Sequence, residues 1–182
     1  MSLLPHLTWV PALSEPTLLA EPVAKALAGW NLADQVEVAA IDPDLADTQA
    51  LSDAYGLPLS ASANCVVVTG RRAGESRTAA CVVLATTRAD VNNLVRKQLD
   101  VRKASFMSTE EAVAGSGMEY GGITPVGLPA DWPVLVDEAV ALSDQVIIGS
   151  GIRGSKLRLR GSAVGRLPGA QVVPGLGRPV GG

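Results

Sequence analysis

Two short glycine stretches put main-chain groups where they could do chemistry: Gly121-Gly122-Ile123-Thr124-Pro125 and Gly149-Ser150-Gly151. A residue without a Cβ lets the backbone come close to a ligand, and Pro125 fixes one φ and stiffens the exit from the first stretch. Such a loop offers amides, not side chains. Consecutive amides bind an anion, a carbonyl oxygen or a water, which suits hydrolysis driven by positioning and electrostatics rather than by a protein nucleophile. Each stretch read alone is more often an ordinary turn than a site. Asp137 closes the apolar run WPVLVDE, where a buried carboxylate needs partners. Amides of a neighbouring glycine loop could supply them, in a site or simply to tie the loop down.

Conventional catalytic equipment is sparse. The one histidine, His6, stands beside Pro5 near the N-terminus and reads as a solvated residue, which argues against Ser-His-Asp and Cys-His arrangements. No Walker loop, Rossmann fingerprint, CxxC or HExxH occurs. Glu110-Glu111 reads as first-turn helix chemistry. Cys65 and Cys81 each open a valine-rich run and read as small buried hydrophobes. A lone histidine cannot complete a ligand set, so the sequence predicts neither a metal site nor a cofactor.

These residues need a scaffold, and 182 residues suffice for one domain. With 47% hydrophobic and only 3% aromatic residues, the interior must be filled by Val, Leu, Ile and Ala, which suits strands packed under helices. Helical spacing runs from 16 to 27, with Ser14 as a cap, Pro22 in the first turns and Gly29 as a stop. Residues 36 to 42 alternate as a strand, and Asp42-Pro43-Asp44 opens a helix that ends at Gly56. Two β-branched runs, 64 to 70 and 78 to 86, flank the polar RRAGESR and read as a hairpin with a longer loop. Asp90 caps a helix with Val91, Leu94, Val95 and Leu99 on one face, and Ser108 caps another that Gly115 and Gly117 close. Strands follow in WPVLVDEAV and QVIIGSG, then in KLRLRGS, whose alternation of Leu157 and Leu159 with Lys156, Arg158 and Arg160 predicts a half-exposed strand. The expected fold is therefore α+β: a single compact domain with a mixed, mostly antiparallel or barrel-like sheet and flanking helices, spanning residues 1–167. A Pro/Gly-rich tail, 168–182, has little to bury and should lie loose or draped on the surface.

Net charge is −3, but it is distributed unevenly. Residues 1 to 70 hold eight acids against the single base Lys25, whereas residues 145 to 182 hold six bases and no acid. With Arg96-Lys97 and Arg102-Lys103, the basic residues could form a surface for a phosphate backbone, or could only blunt exposed strand edges. No apolar run reaches the roughly 18 residues that span a bilayer, and MSLLPHLTWV has no basic n-region or continuous h-region. That predicts a cytoplasmic protein without a membrane partner.

The order DPDLADTQALSDAYGLPLSASANCVVV, RADVNNLVRKQL, FMSTEEAVAGSGMEYGGITPVG, WPVLVDEAV and IIGSGIRGSKLRL resembles the YbaK / prolyl-tRNA synthetase-associated editing domain over roughly residues 16 to 167. The most specific piece is the GxxxP loop, Gly121 to Pro125, followed by Asp137 and the GSG turn. The resemblance implies a free-standing aminoacyl-tRNA deacylase whose loop amides bind around the ester and position the water, with the substrate's own ribose hydroxyl assisting. Gly121, Gly122, Ile123, Thr124, Pro125 and Asp137 then carry catalysis, and Asn64, Gly149, Ser150, Gly151 and Arg153 bind substrate. The partner implied is the 3′ aminoacyl end of a mischarged tRNA, with a synthetase or elongation factor as a further one; oligomeric state is left open. Family members commonly carry a lysine at the start of the first hairpin strand, held to engage the terminal adenosine's phosphate. Asn64 stands there in this chain and has no charge to offer, so Lys97, Lys103 or Arg153 would have to replace it. The alternative is a member that has lost catalysis and binds tRNA ends or a small ligand.

Overall fold

A computed structural model describes residues 6–180. In chain order its regular elements are β1 (Val10–Pro11), α1 (Glu21–Ala28), β2 (Glu37–Ala40), α2 (Thr48–Tyr55), β3 (Ala63–Arg72), β4 (Glu75–Leu84), β5 (Thr87–Ala89), α3 (Arg96–Leu99) and β6 (Ala104–Phe106). Then follow α4 (Thr109–Ser116), β7 (Val134–Asp137), α5 (Glu138–Ala141), β8 (Val146–Gly149), β9 (Ser155–Leu159), α6 (Gly161–Val164), β10 (Ala170–Val173) and β11 (Gly177–Pro179). The fold is α+β. A five-stranded sheet in the order β10-β7-β4-β3-β6 is mixed: β10, β7 and β4 run parallel, while β4, β3 and β6 are antiparallel. A four-stranded antiparallel sheet runs β1-β2-β9-β8, and β5 pairs with β11. Among the described residues no sheet closes into a barrel.

The long hairpin of β3 and β4 organises the molecule. Its β-branched residues suit a pleated surface, and Ala73-Gly74, with φ of +50° and +83°, makes the two-residue turn whose hand matches strand twist. The expected longer loop is therefore absent: the polar RRAGESR continues the ladder to the pair Arg72 and Glu75. Side chains alternate between two cores. Ala63, Cys65, Ala80 and Val82 face the interior between the two large sheets, and Val66, Val68, Ala79, Cys81 and Val83 face α3 and the turn before it. The two cysteines thus lie on opposite faces and are free thiols.

Helix signals in the sequence locate the right segments but misplace three details. Helix α1 begins only at Glu21, after a separate 3-10 turn, Pro16–Leu18, and Ser14 donates back to the Pro11 carbonyl instead of capping. Asp42 accepts from the Asp44 amide but opens only a 3-10 turn, whereas α2 starts at Thr48 because Asp47 accepts from the amides of Gln49 and Ala50. Gly115 lies within α4, and Gly117 alone ends it. The other caps form as expected: Asp90 accepts from the Asn93 amide, and Ser108 Oγ accepts from the Glu111 amide while donating to the Glu111 carboxylate.

Two predictions are corrected outright. The tail is built into the fold. Strand β10 adds to the five-stranded sheet beside β7, β11 pairs with β5, and Val173 and Leu176 are buried against the second core. Its few apolar residues are spaced to meet a sheet edge, which composition alone does not reveal. Strand β9 is not half-exposed either: α2 and its flanking turns cover the second face of its sheet, so Lys156 is 7% exposed. Arg158 on the same face stacks over Trp9 at 4.5 Å and pairs with Glu37 at 2.5 Å.

Candidate functional site

The two large sheets meet where the residue before β3 bridges to β8, at Ser62 and Ile147. Around this seam opens a cleft of about 660 Å³, walled by the start of β3, the first turn of α2, the end of β8, β9 and the first glycine stretch. Sequence-distant pieces converge here because β9 and β8 are adjacent in one sheet while β3 begins the other.

The two glycine stretches form one unit. Gly151 N donates to Gly122 O at 2.7 Å, Glu119 N to Gly151 O at 2.9 Å, and Gly122 N to Glu119 O at 2.9 Å. Contact is so close that a Cβ on Gly149 would lie 2.5 Å from Gly122 O, and one on Gly122 would lie 2.7 Å from the Ile152 backbone. Only glycine permits that approach. Gly121, at φ +85°, and Ile123 line the cleft, and their amides donate to no acceptor among the described residues. Ser150 is fully buried and structural, its Oγ donating to the carbonyls of Ile152 and Ser155. Thr124 is also fully buried, its hydroxyl without a partner among the described residues, and Pro125 faces a separate apolar hollow beside Trp30 and Trp132.

Asp137 lies elsewhere. It is 3% exposed, does not line the cleft, and its carboxylate faces Thr87 of β5 and Gly177 of β11. The register of β10 on β7, with Val173 opposite Asp137, carries the tail across it, so the expected contact with the amides of the glycine loop is replaced by tail packing.

Asn64 does line the cleft, and its Oδ1 accepts from Thr48 Oγ1 at 2.8 Å. Arg153 spans the rim: its guanidinium donates to Tyr120 O at 3.1 Å and Pro43 O at 3.0 Å, and its amide donates to Glu119 Oε1 at 3.1 Å. Neither Lys97 nor Lys103 reaches the cleft. The cation inside it is Lys156, whose Nζ donates to Ala46 O at 3.1 Å. Burial lowers its pKa from 10.5 to about 8; Asp47 pulls it up and Arg153 pushes it down further. Sequence reasoning missed Lys156 because strict alternation sent it to solvent, and missed Thr48 because the helix start was placed at Asp42. Cys65 also borders the cleft, but burial, and then neighbouring Cys81, push its thiol well above its ordinary range, so it presents a neutral thiol. His6 is exposed and not among the lining residues.

The cleft is therefore lined by two residues whose amides have no acceptor among the described residues, one buried ammonium and a guanidinium, with Asp47 as its acid. That suits an acyl group attached to an anionic carrier better than it suits a cation.

Residues 42–167 match the model of a family described as the aminoacyl-tRNA editing domain. Similar solved structures include a proposed trans-editing enzyme for prolyl tRNA synthetase, at 21% identity and TM-score 0.71 over 85% of this chain and 94% of that one. A hypothetical protein aligns at 18% identity and TM-score 0.74 over 87% and 100% of the two chains. A scaffold used for computational epitope grafting aligns at 20% identity and TM-score 0.71 over 85% and 95%. At these identities the structural likeness shows a shared fold. No curated protein matches the chain. Among the described residues no helix is long and apolar enough to cross a membrane.

Proposed function

The chain belongs to the aminoacyl-tRNA editing domain family, and from that premise we propose that it is a deacylase that hydrolyses the ester of a mischarged aminoacyl-tRNA. Water adds to the ester carbonyl carbon, the bond to the ribose oxygen breaks, and that oxygen takes up a proton, releasing the amino acid and the tRNA. The observation that carries this reading is that Gly121 and Ile123, both on the wall of the cleft, have amides with no acceptor among the described residues. They are fixed donors for the oxygen that gains charge as water attacks, and one such donor is worth about 10²- to 10³-fold in rate. No histidine or thiolate stands by to act as base or nucleophile, so the water is activated by position and by the substrate's neighbouring ribose hydroxyl. Lys156 supplies the positive charge that Asn64 lacks, facing the substrate's phosphate from β9 instead of β3. Arg153 and the Tyr120 carbonyl close the rim.

Editing of this kind answers a limit of recognition: one methylene discriminates by only about 1–3 kcal/mol in a pocket, so errors in charging need a second sieve. The test is deacylation of a panel of mischarged tRNAs, including Cys-tRNA(Pro) and Ala-tRNA(Pro), by the wild type and by Gly121→Ala. A Cβ at Gly121 would lie 2.5 Å from Arg153 Nη1 and would have to adopt φ +85°, so the variant should lose about 100-fold or more in turnover. A wild type inactive on the whole panel would favour a second reading, a binding module for tRNA ends. The observation on that side is Asn64, uncharged and already engaged by Thr48.

A further inference from the structure

Beyond the cleft, the same face of β3 continues into a second depression. Partners in an antiparallel ladder share a face, so Thr69, Thr78, Arg71, Ser76 and Ser105 stand on the side that holds Cys65. They line a shallow groove of about 500 Å³ with Arg102, Lys103 and Met107. Arg71, Arg102 and Lys103 are exposed and form no ion pair among the described residues. On the opposite face the neighbouring arginines are consumed: Arg72 and Arg77 both reach Asp100, at 2.5 Å and 3.3 Å. The one acid lining the groove, Glu111, is held by the Ser108 hydroxyl at 2.9 Å in the cap of α4. Three unneutralised cations, Arg71 on β3 and Arg102 and Lys103 just before β6, together with four hydroxyls on the sheet form a surface complementary to a run of phosphates.

We infer that this groove docks the sugar-phosphate backbone of the RNA whose aminoacyl end enters the cleft, an inference that rests on the deacylase reading. Strand geometry sets the reach. Six residues of β3 separate Cys65, at the cleft, from Arg71 in the groove, which is about 20 Å. Stacked nucleotides advance roughly 3 Å each, so the groove meets the strand about six or seven nucleotides from the acylated end. That is beyond a short single-stranded terminus and on the helical stem. The contacts are to phosphates, so they add affinity and orientation while the cleft reads the acyl group.

The test is the triple variant Arg71→Ala, Arg102→Ala, Lys103→Ala, all exposed positions whose truncation spares both cores. Binding of full-length uncharged tRNA is measured across a salt series, and turnover is measured on a short probe, a 3′-aminoacylated dinucleotide that cannot reach the groove. The expected result is at least a tenfold loss of tRNA affinity at low salt, a logarithmic salt slope flatter by about 2.7, one factor of 0.9 for each lost phosphate contact, and unchanged turnover of the dinucleotide. An unchanged slope and affinity would overturn the inference, as would a wild type that binds no tRNA or a variant that loses the dinucleotide as well. If the wild type binds tRNA through the groove but deacylates nothing, the inference stands and the deacylase reading fails.

Discussion

Lys156 Nζ reaches across from β9 to donate to the Ala46 carbonyl at 3.1 Å, which ties the four-stranded sheet to the turn ahead of α2 and holds a buried ammonium at the wall of the cleft. Asp47 and Arg153 are the charged groups that face it. Replacing it by methionine keeps the volume and removes the charge. Lys156→Met should lose about 10- to 100-fold in kcat/KM, the worth of a charged hydrogen bond, while its melting temperature holds or rises, since burying an ammonium costs stability.

The same lysine gives a pH signature. Its pKa is about 8 in the fold and 10.5 as its ordinary value, so between these pH values the unfolded chain holds a proton that the native state has released. Stability from this group therefore rises with pH across that window, by on the order of 3 kcal/mol. The thiols oppose it: burial pushes Cys81 up to about 12 and Cys65 higher, so the native state keeps protons that the unfolded chain loses above 9.0. Subtracting the denaturation profile of Lys156→Met from that of the wild type cancels the thiols. A flat difference from pH 8 to 10.5 would mean that the lysine is not desolvated as placed.

Charge relocation can be tested by reversal. Asn64→Lys puts an ammonium on β3 but takes the acceptor from Thr48 Oγ1, so on its own it should change turnover by less than about threefold. In the Lys156→Met background it should restore most of the lost activity, a coupling of about 1 kcal/mol or more in a double-mutant cycle. Additive effects would show that the two positions do not serve one anion.

Gly149→Ala tests the join of the two glycine stretches. The new Cβ would meet Gly122 O at 2.5 Å and Ile123 O at 2.8 Å, both backbone atoms, so the loop must move. Overpacking of this kind costs about 1–3 kcal/mol, and a displaced amide can cost about 100-fold in rate. Activity should fall far more than a thermal melt implies; a variant with wild-type turnover would detach the loop from catalysis.

Removing residues 168–182 should be expensive. Truncation strips β10 and β11, uncovers the second core at Val173 and Leu176, and removes Arg178, whose Nη2 lies 2.7 Å from buried Asp90. Loss of the two apolar side chains alone is worth about 3–6 kcal/mol. Urea denaturation should show that drop, and a truncated chain as stable as the full one would contradict the packing.

Local signals were legible in the sequence wherever chemistry is local. The caps at Asp90 and Ser108, the β-branched hairpin and the two glycine stretches all follow from neighbouring residues. What stayed hidden depends on which element covers which face. Alternation puts Lys156 opposite Leu157, but only the packing of α2 decides that this second face is also interior. Asp137, like the glycine loop, lies near an apolar strand, which suggests a contact between them, but the tail occupies the space beside it and its prolines and glycines give no local sign of strand pairing.

The pairing of the glycine stretches also divides their amides into two classes that hydrogen exchange can separate. Gly122 and Gly151 donate to carbonyls inside the join, whereas Gly121 and Ile123 donate to none among the described residues. The first pair should exchange slowly and the second quickly in the free protein. A bound ester analogue should slow Gly121 and Ile123 and leave Gly122 and Gly151 as they were, so the loop would report its own occupancy, residue by residue, without any turnover being measured.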